Sequence, residues 1–199
     1  MSRILGMKPF QDWIYRGNPE YAIFAVKAPI EQVGQALVDK CGIRDWQKQV
    51  QSEKSLCDSV PYGKDFRAPM LQPVDNPWTV VYWYVGGWTP TEDLCKKLSH
   101  FLQTSVLSLS EEDTSGAIGY DLYDRGKKTE SGGWCPGEDL FFESDSREEP
   151  ELDDFESPEQ EVMNQFFNEA FVNAGAYIPG WNINVSDPSL QRVDLIQLP

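Results

Sequence analysis

Residues 79–85 constrain the fold of this chain more than any other segment. The run Thr-Val-Val-Tyr-Trp-Tyr-Val contains only β-branched and aromatic residues, which favour extended backbone because their side chains pack well on a pleated surface. Gly86 and Gly87 follow and end the predicted strand. Because side chains alternate along a strand, one face of this segment fills the core, and the other is either covered by a helix or exposed as a patch.

Three amphipathic helices are predicted among the strands, at 29–41, 90–102 and 158–174. Apolar residues recur in each at spacings of three and four, which is typical of a helix with one buried side. Proline stands in the first turn of each, at Pro29, Pro90 and Pro158, where its missing N–H costs no hydrogen bond. The third helix has the most apolar face, formed by Phe166, Phe167 and Phe171.

Further strands are predicted at 21–26, 105–110 and 118–123, with shorter ones near 140–142 and 193–198. Residues 52–78 contain four prolines and are predicted to form a long loop or a meander of short pieces.

These elements predict an α+β fold in one domain that covers residues 1–199. The sheet is expected to be mainly antiparallel and packed by about three helices. A ferredoxin-like layout is one arrangement that two strand–helix–strand units give. The length of 199 residues is closer to one typical domain than to two.

The net charge of −15 is concentrated in one segment. Residues 138–161 hold twelve acidic side chains and one basic side chain, Arg147. We expect residues 144–156 to form an acidic surface loop, because dense like charges are costly to bury. Such a chain repels nucleic-acid phosphates, whereas the acidic segment attracts a basic protein partner.

The motifs of common enzymes are absent from the sequence. It has one histidine, His100, and no C-x-x-C pair, nucleophile elbow or Gly-rich phosphate loop. We therefore expect no metal site and no cofactor. The longest apolar run is shorter than the about 20 residues that cross a bilayer. Together with the lack of a signal-peptide pattern, this predicts a cytoplasmic protein with free thiols and no membrane contact.

Two functions are compatible with this pattern. The first is a non-enzymatic, partner-binding or regulatory module that uses the acidic segment and exposed tryptophans. Its candidate residues are Asp145, Glu148, Glu149, Glu151, Asp153, Asp154, Trp78 and Trp88. The alternative is a carboxylate-based enzyme or small-ligand binder with a site beside the aromatic strand at 78–88. Its candidate residues are Glu111, Glu112 and Asp113. The oligomeric state is left open.

Overall fold

The dominant feature of the structure is a nine-stranded antiparallel β-sheet. The computed structural model describes residues 21–52, 54, 67–84, 92–112, 117–138, 140–148, 170–177 and 183–197. The strands are β1 (Tyr21–Val26), β2 (Asp45–Gln47), β3 (Arg67–Pro73), β4 (Thr79–Tyr84), β5 (Ser105–Glu112), β6 (Ala117–Asp124), β7 (Lys127–Trp134), β8 (Phe141–Ser144) and β9 (Leu190–Gln197). Their spatial order is β2-β9-β3-β4-β1-β5-β6-β7-β8, so the apolar strands β1 and β4 lie near the middle.

Two complete helices in the described ranges, α1 (Ile30–Cys41) and α2 (Glu92–Leu102), pack on one face of the sheet. The apolar stripe of α1 includes Val33 and Leu37, and both are fully buried. The helix ends at Gly42, whose φ of 72° lets its N–H donate to the Leu37 carbonyl. Both helices therefore form where the sequence spacing predicts them.

The opposite face of the sheet carries an aromatic core. Trp78, Tyr82, Tyr120 and Trp134 are buried there with aliphatic neighbours. The described end of a further helix, residues 170–174, adds Phe171 to this core. This position agrees with the predicted helix at 158–174, although Phe166 and Phe167 lie outside the described residues.

The predicted fold class is wrong. A sheet packed by about three helices in a ferredoxin-like layout does not describe this structure, in which nine antiparallel strands dominate and the helices are short. The sheet has many strands because β9 and β2 follow β3 on one side, and β6, β7 and β8 follow β5 on the other side. The sequence predicted β6, β8 and β9 as strands, but not that they join one sheet, since strand pairing joins distant segments.

Residues 67–73 also depart from the predicted loop, because they form β3 between β4 and β9. Pro69 and Pro73 lie inside this strand, although proline cannot donate to a ladder. The ladder with β9 shifts register between Gln72 and Pro73. Gln72 itself is buried and accepts from the Ile30 N–H at 2.9 Å, which joins the strand to the start of α1.

Candidate functional site

The described part of the acidic segment lies at the β8 end of the sheet. Asp145 and Glu148 are both exposed there. The other predicted acidic contacts lie outside the described residues, namely Glu149, Glu151, Asp153 and Asp154. The structure therefore describes the start of the predicted surface loop at 144–156 as far as residue 148.

Strand β8 gives this surface a regular geometry. It pairs with β7 through Phe141–Gly133 and Glu143–Ser131, and the Asp145 N–H continues the contact by donating to the Thr129 carbonyl at 2.8 Å. Since side chains alternate along a strand, Phe141, Glu143 and Asp145 share one face. All three are exposed, and the Phe141 side chain is 50% exposed. We call Phe141, Glu143, Asp145 and Glu148 the acidic edge.

A buried carboxylate fixes the base of the acidic edge. Glu130 of β7 is 6% exposed, and its two oxygens accept four hydrogen bonds. Tyr120 Oη and Arg147 Nη2 donate to Oε1 at 2.8 and 2.6 Å. Ser144 Oγ and Arg147 Nε donate to Oε2 at 2.9 and 2.8 Å. We call these four residues the Glu130 cluster.

The electrostatics of the Glu130 cluster indicate that Glu130 is an ionised carboxylate with a structural role and does not take up a proton at neutral pH. Desolvation acts to raise the pKa of Glu130, but the hydrogen bonds from Arg147, Tyr120 and Ser144 outweigh it and leave the pKa lowered. Burial and the nearby carboxylate raise the pKa of Tyr120. The Arg147 guanidinium also lies 5.3 Å from the centre of the Phe142 ring. Arg147, the one basic residue of the acidic segment, therefore ties that segment to the sheet.

The structure contradicts the predicted role of Trp78 as an exposed partner contact. Its side chain is 1% exposed and lies in the aromatic core. Trp78 directly precedes β4, and both faces of that strand are covered, so the ring has no path to a partner. The Trp78 indole N–H has no hydrogen-bond partner in the described part of the chain. Trp88 lies outside the described residues.

The alternative carboxylate site is only partly described. Glu111 and Glu112 end β5, where they pair with Ile118 and Ala117 of β6. Asp113 lies outside the described residues. No group of three or more metal-ligating side chains occurs in the ranges that the structure covers. The enzymatic alternative thus gains no assembled site from the described residues.

Sequence reasoning missed the residues that shape the acidic edge. Glu130 and Arg147 are 17 positions apart, and only the pairing of β7 with β8 brings them together. Phe141 and Glu143 belong to the acidic stretch, and a short strand was predicted near 140–142, but which of its faces is exposed follows only from the pairing of β8 with β7. The Phe-Phe-Glu-Ser pattern was the available signal, and it is short.

Comparisons with known proteins leave the function to be argued from this geometry. The chain matches no protein-family model, and neither a curated protein nor a solved structure shows significant similarity to it. Within the described residues, no helix has the length and apolar character needed to span a membrane.

Proposed function

We propose that this protein is a non-enzymatic module that binds a basic, extended segment of a partner protein along the acidic edge. The observation that supports this most is the exposed Phe141 ring beside the exposed carboxylates of Glu143 and Asp145 on one strand face. A segment with alternating apolar and basic side chains matches that pattern, since an added strand meets its neighbour at every second residue.

The position of β8 in the sheet supports strand addition. β8 is the last strand in the order of the described sheet, so one side of it faces no other described strand. A strand at the border of a sheet is a place where another chain can add. A second copy of this protein fits poorly, because carboxylates would then lie opposite carboxylates and repel. Lys127 Nζ lies 2.6 Å from Asp145 Oδ2 and offsets part of that charge, whereas Glu143 and Glu148 have no ion pair in the described part of the chain.

A defined peptide tests this proposal. The probe is an eight-residue peptide of alternating lysine and valine, compared with its glutamate–valine counterpart in a titration followed by amide NMR. We expect binding of the basic peptide only, with the largest shifts at residues 141–145. Higher salt should weaken the complex, since screening limits exposed charges to about 8 Å at physiological ionic strength.

Matched variants separate charge from location. The double variant Glu143→Gln/Asp145→Asn should weaken the binding of the basic peptide about fivefold or more, because the exposed carboxylates attract and hold its lysines. The control Asp39→Asn/Asp75→Asn removes the same charge from exposed positions away from β8 and should change the affinity less than twofold. Equal loss in both variants, or shifts centred away from β8, would contradict the proposal.

The proposal includes a cytoplasmic location and no nucleic-acid ligand. Cys41, Cys95 and Cys135 are free thiols in the described chain, which supports a reducing compartment. Burial raises the pKa of Cys41 to about 11 and that of Cys95 to about 12, so both remain protonated at neutral pH. Acid-quenched thiol labelling in cells should find these three cysteines reduced, whereas a disulfide among them would contradict the location.

A further inference from the structure

A basic cleft lies on the helical face of the sheet. It has a volume of about 560 Å³ and lies between the end of α1 and the exposed side of α2. Lys40 lines it from α1, and α2 contributes the other side chains, Asp93, Lys96, Lys97, His100 and Phe101. The α2 residues recur at spacings of three and four, which places them on one side of the helix.

The local charge of this cleft is opposite to that of the whole chain. Three lysines meet one carboxylate there, although the net charge of the protein is −15. Lys97 Nζ lies 3.4 Å from Asp93, but both side chains are largely exposed, and such pairs contribute little. Lys40 and Lys96 form no ion pair with a described residue. The lysines are therefore available to an anion.

An exposed aromatic ring lies beside these charges. Phe101 is 47% exposed, whereas Leu98 on the same helix is buried. The Lys40 ammonium lies 4.8 Å from the centre of the Phe101 ring, which is within the range of a cation–π contact. An exposed phenylalanine beside a cation presents a flat apolar surface next to a positive charge.

The wall of the cleft is held in place by buried hydrogen bonds. Ser99 is fully buried, and its Oγ donates to the Thr104 carbonyl at 2.7 Å and accepts from the Gly126 N–H at 3.0 Å. A Cβ on Gly126 would lie 2.8 Å from the His100 Cβ, and Gly126 has a φ of 85°. Glycine is thus required for the β6–β7 turn to approach α2 this closely.

We propose that the basic cleft binds a small organic anion in which an aromatic ring adjoins a phosphate or carboxylate group. The ring covers Phe101, and the anionic group lies among Lys40, Lys96 and Lys97 through charge-assisted hydrogen bonds. The volume is in the range of small-molecule sites. A long nucleic acid is disfavoured because its phosphates would extend beyond the local lysines into the field of an acidic protein. This proposal does not depend on the acidic edge.

The probe is phenyl phosphate, and its titration at low salt is monitored by amide NMR. Inorganic phosphate and phenol, which represent the two halves of the probe, are titrated separately for comparison. We expect a dissociation constant on the order of 0.1–1 mM and shifts centred on residues 93–101. Phenyl phosphate should bind at least about fivefold more tightly than either half, since both contacts then act together. Benzoate, in a parallel titration, shows whether a carboxylate replaces the phosphate.

Three variants make the test specific. Lys96→Gln/Lys97→Gln should weaken the binding of phenyl phosphate about fivefold or more. Phe101→Ala should make phenyl phosphate bind no more tightly than inorganic phosphate. Lys48→Gln/Lys54→Gln, a control at exposed lysines outside the cleft, should change affinity less than twofold. These positions are exposed, and circular dichroism should confirm that every variant is folded.

Three results would overturn the proposal. The first is no binding of phenyl phosphate or benzoate by the folded wild-type protein, and the second is equal weakening by the cleft and control variants. The third is tighter binding of a short glutamate peptide than of phenyl phosphate, because the cleft would then serve acidic protein segments instead of small anions.

Discussion

The two ends of the described sheet are held by the same kind of buried carboxylate–arginine pair, but the surfaces around the two pairs differ. Each end has a buried carboxylate that accepts four hydrogen bonds, two of them from one arginine. At the β8 end these are Glu130 and Arg147. At the β2 end they are Asp194 and Arg192, with Nε–Oδ1 and Nη2–Oδ2 distances of 2.7 Å each. Bidentate pairs of this kind fix geometry as well as charge.

The remaining donors explain why the two ends differ. Asp194, which is 0% exposed, also accepts from the Trp46 indole N–H and the Gln49 backbone N–H at 2.8 Å each. It therefore holds β2 and the following turn against β9, where the Trp46 ring packs on Gly34 of α1. Glu130 instead holds Ser144, so the next residues project into solvent. The Asp194 anchor thus fixes the last described strand on its side, whereas the Glu130 anchor fixes the start of an exposed acidic surface.

The largest expected effect on stability is at the β2 end. Asp194→Ala removes the acceptor of the Trp46 and Gln49 N–H donors and leaves Arg192 with Glu31 as its remaining ion-pair partner. Breaking a buried pair costs about 3–5 kcal/mol. Urea unfolding of this variant beside Asp39→Ala, which removes an exposed carboxylate, measures the difference. If both variants lose the same small amount, the Asp194 anchor does not hold this end.

A smaller loss of stability is expected at the β8 end. Arg147→Ala leaves the buried Glu130 carboxylate with only Tyr120 and Ser144 as donors. Because the Arg147 side chain is partly exposed and water reaches the site, we expect a loss of about 2–3 kcal/mol. Lys127→Ala, at an exposed ion pair, is the control, and urea unfolding compares the two. A larger loss than for Asp194→Ala would reverse the comparison between the ends.

The stabilisation that Glu130 provides should decrease at acidic pH. Its pKa is lowered in the folded state, so its contribution is fully present above the unfolded value of about 4.3. That contribution is lost as the pH falls through the folded pKa. The difference in unfolding free energy between wild type and Glu130→Gln should therefore shrink between neutral pH and pH 3, as measured by urea unfolding. A difference that stays constant would show that ionisation of Glu130 does not stabilise the fold.

The sequence predicted what is local and missed what is not. Helix α1 begins one residue from its predicted start and ends at Cys41 as predicted, because its stripe and its terminal glycine act within a few turns. β3 was missed because its prolines indicate a loop, whereas its place depends on pairing with β9 more than a hundred residues later. The acidic character near β8 was evident from charge alone. Nothing in the sequence around Arg147 indicated that it binds Glu130 of the neighbouring strand β7.

The smallest effect on stability is expected on the acidic edge itself. Among the described residues, the Asp145 carboxylate pairs with Lys127 alone, and both side chains are largely exposed. Asp145→Asn should therefore change the unfolding free energy by less than about 1 kcal/mol. If the proposed function holds, the same variant should still weaken binding of the lysine–valine peptide, because it removes one of the carboxylates that the peptide's lysines would contact. Urea unfolding and the peptide titration, done on one preparation, test both statements. A loss of stability as large as that of Arg147→Ala would mean that the edge is part of the anchor and that the two ends of the sheet do not differ in the way described.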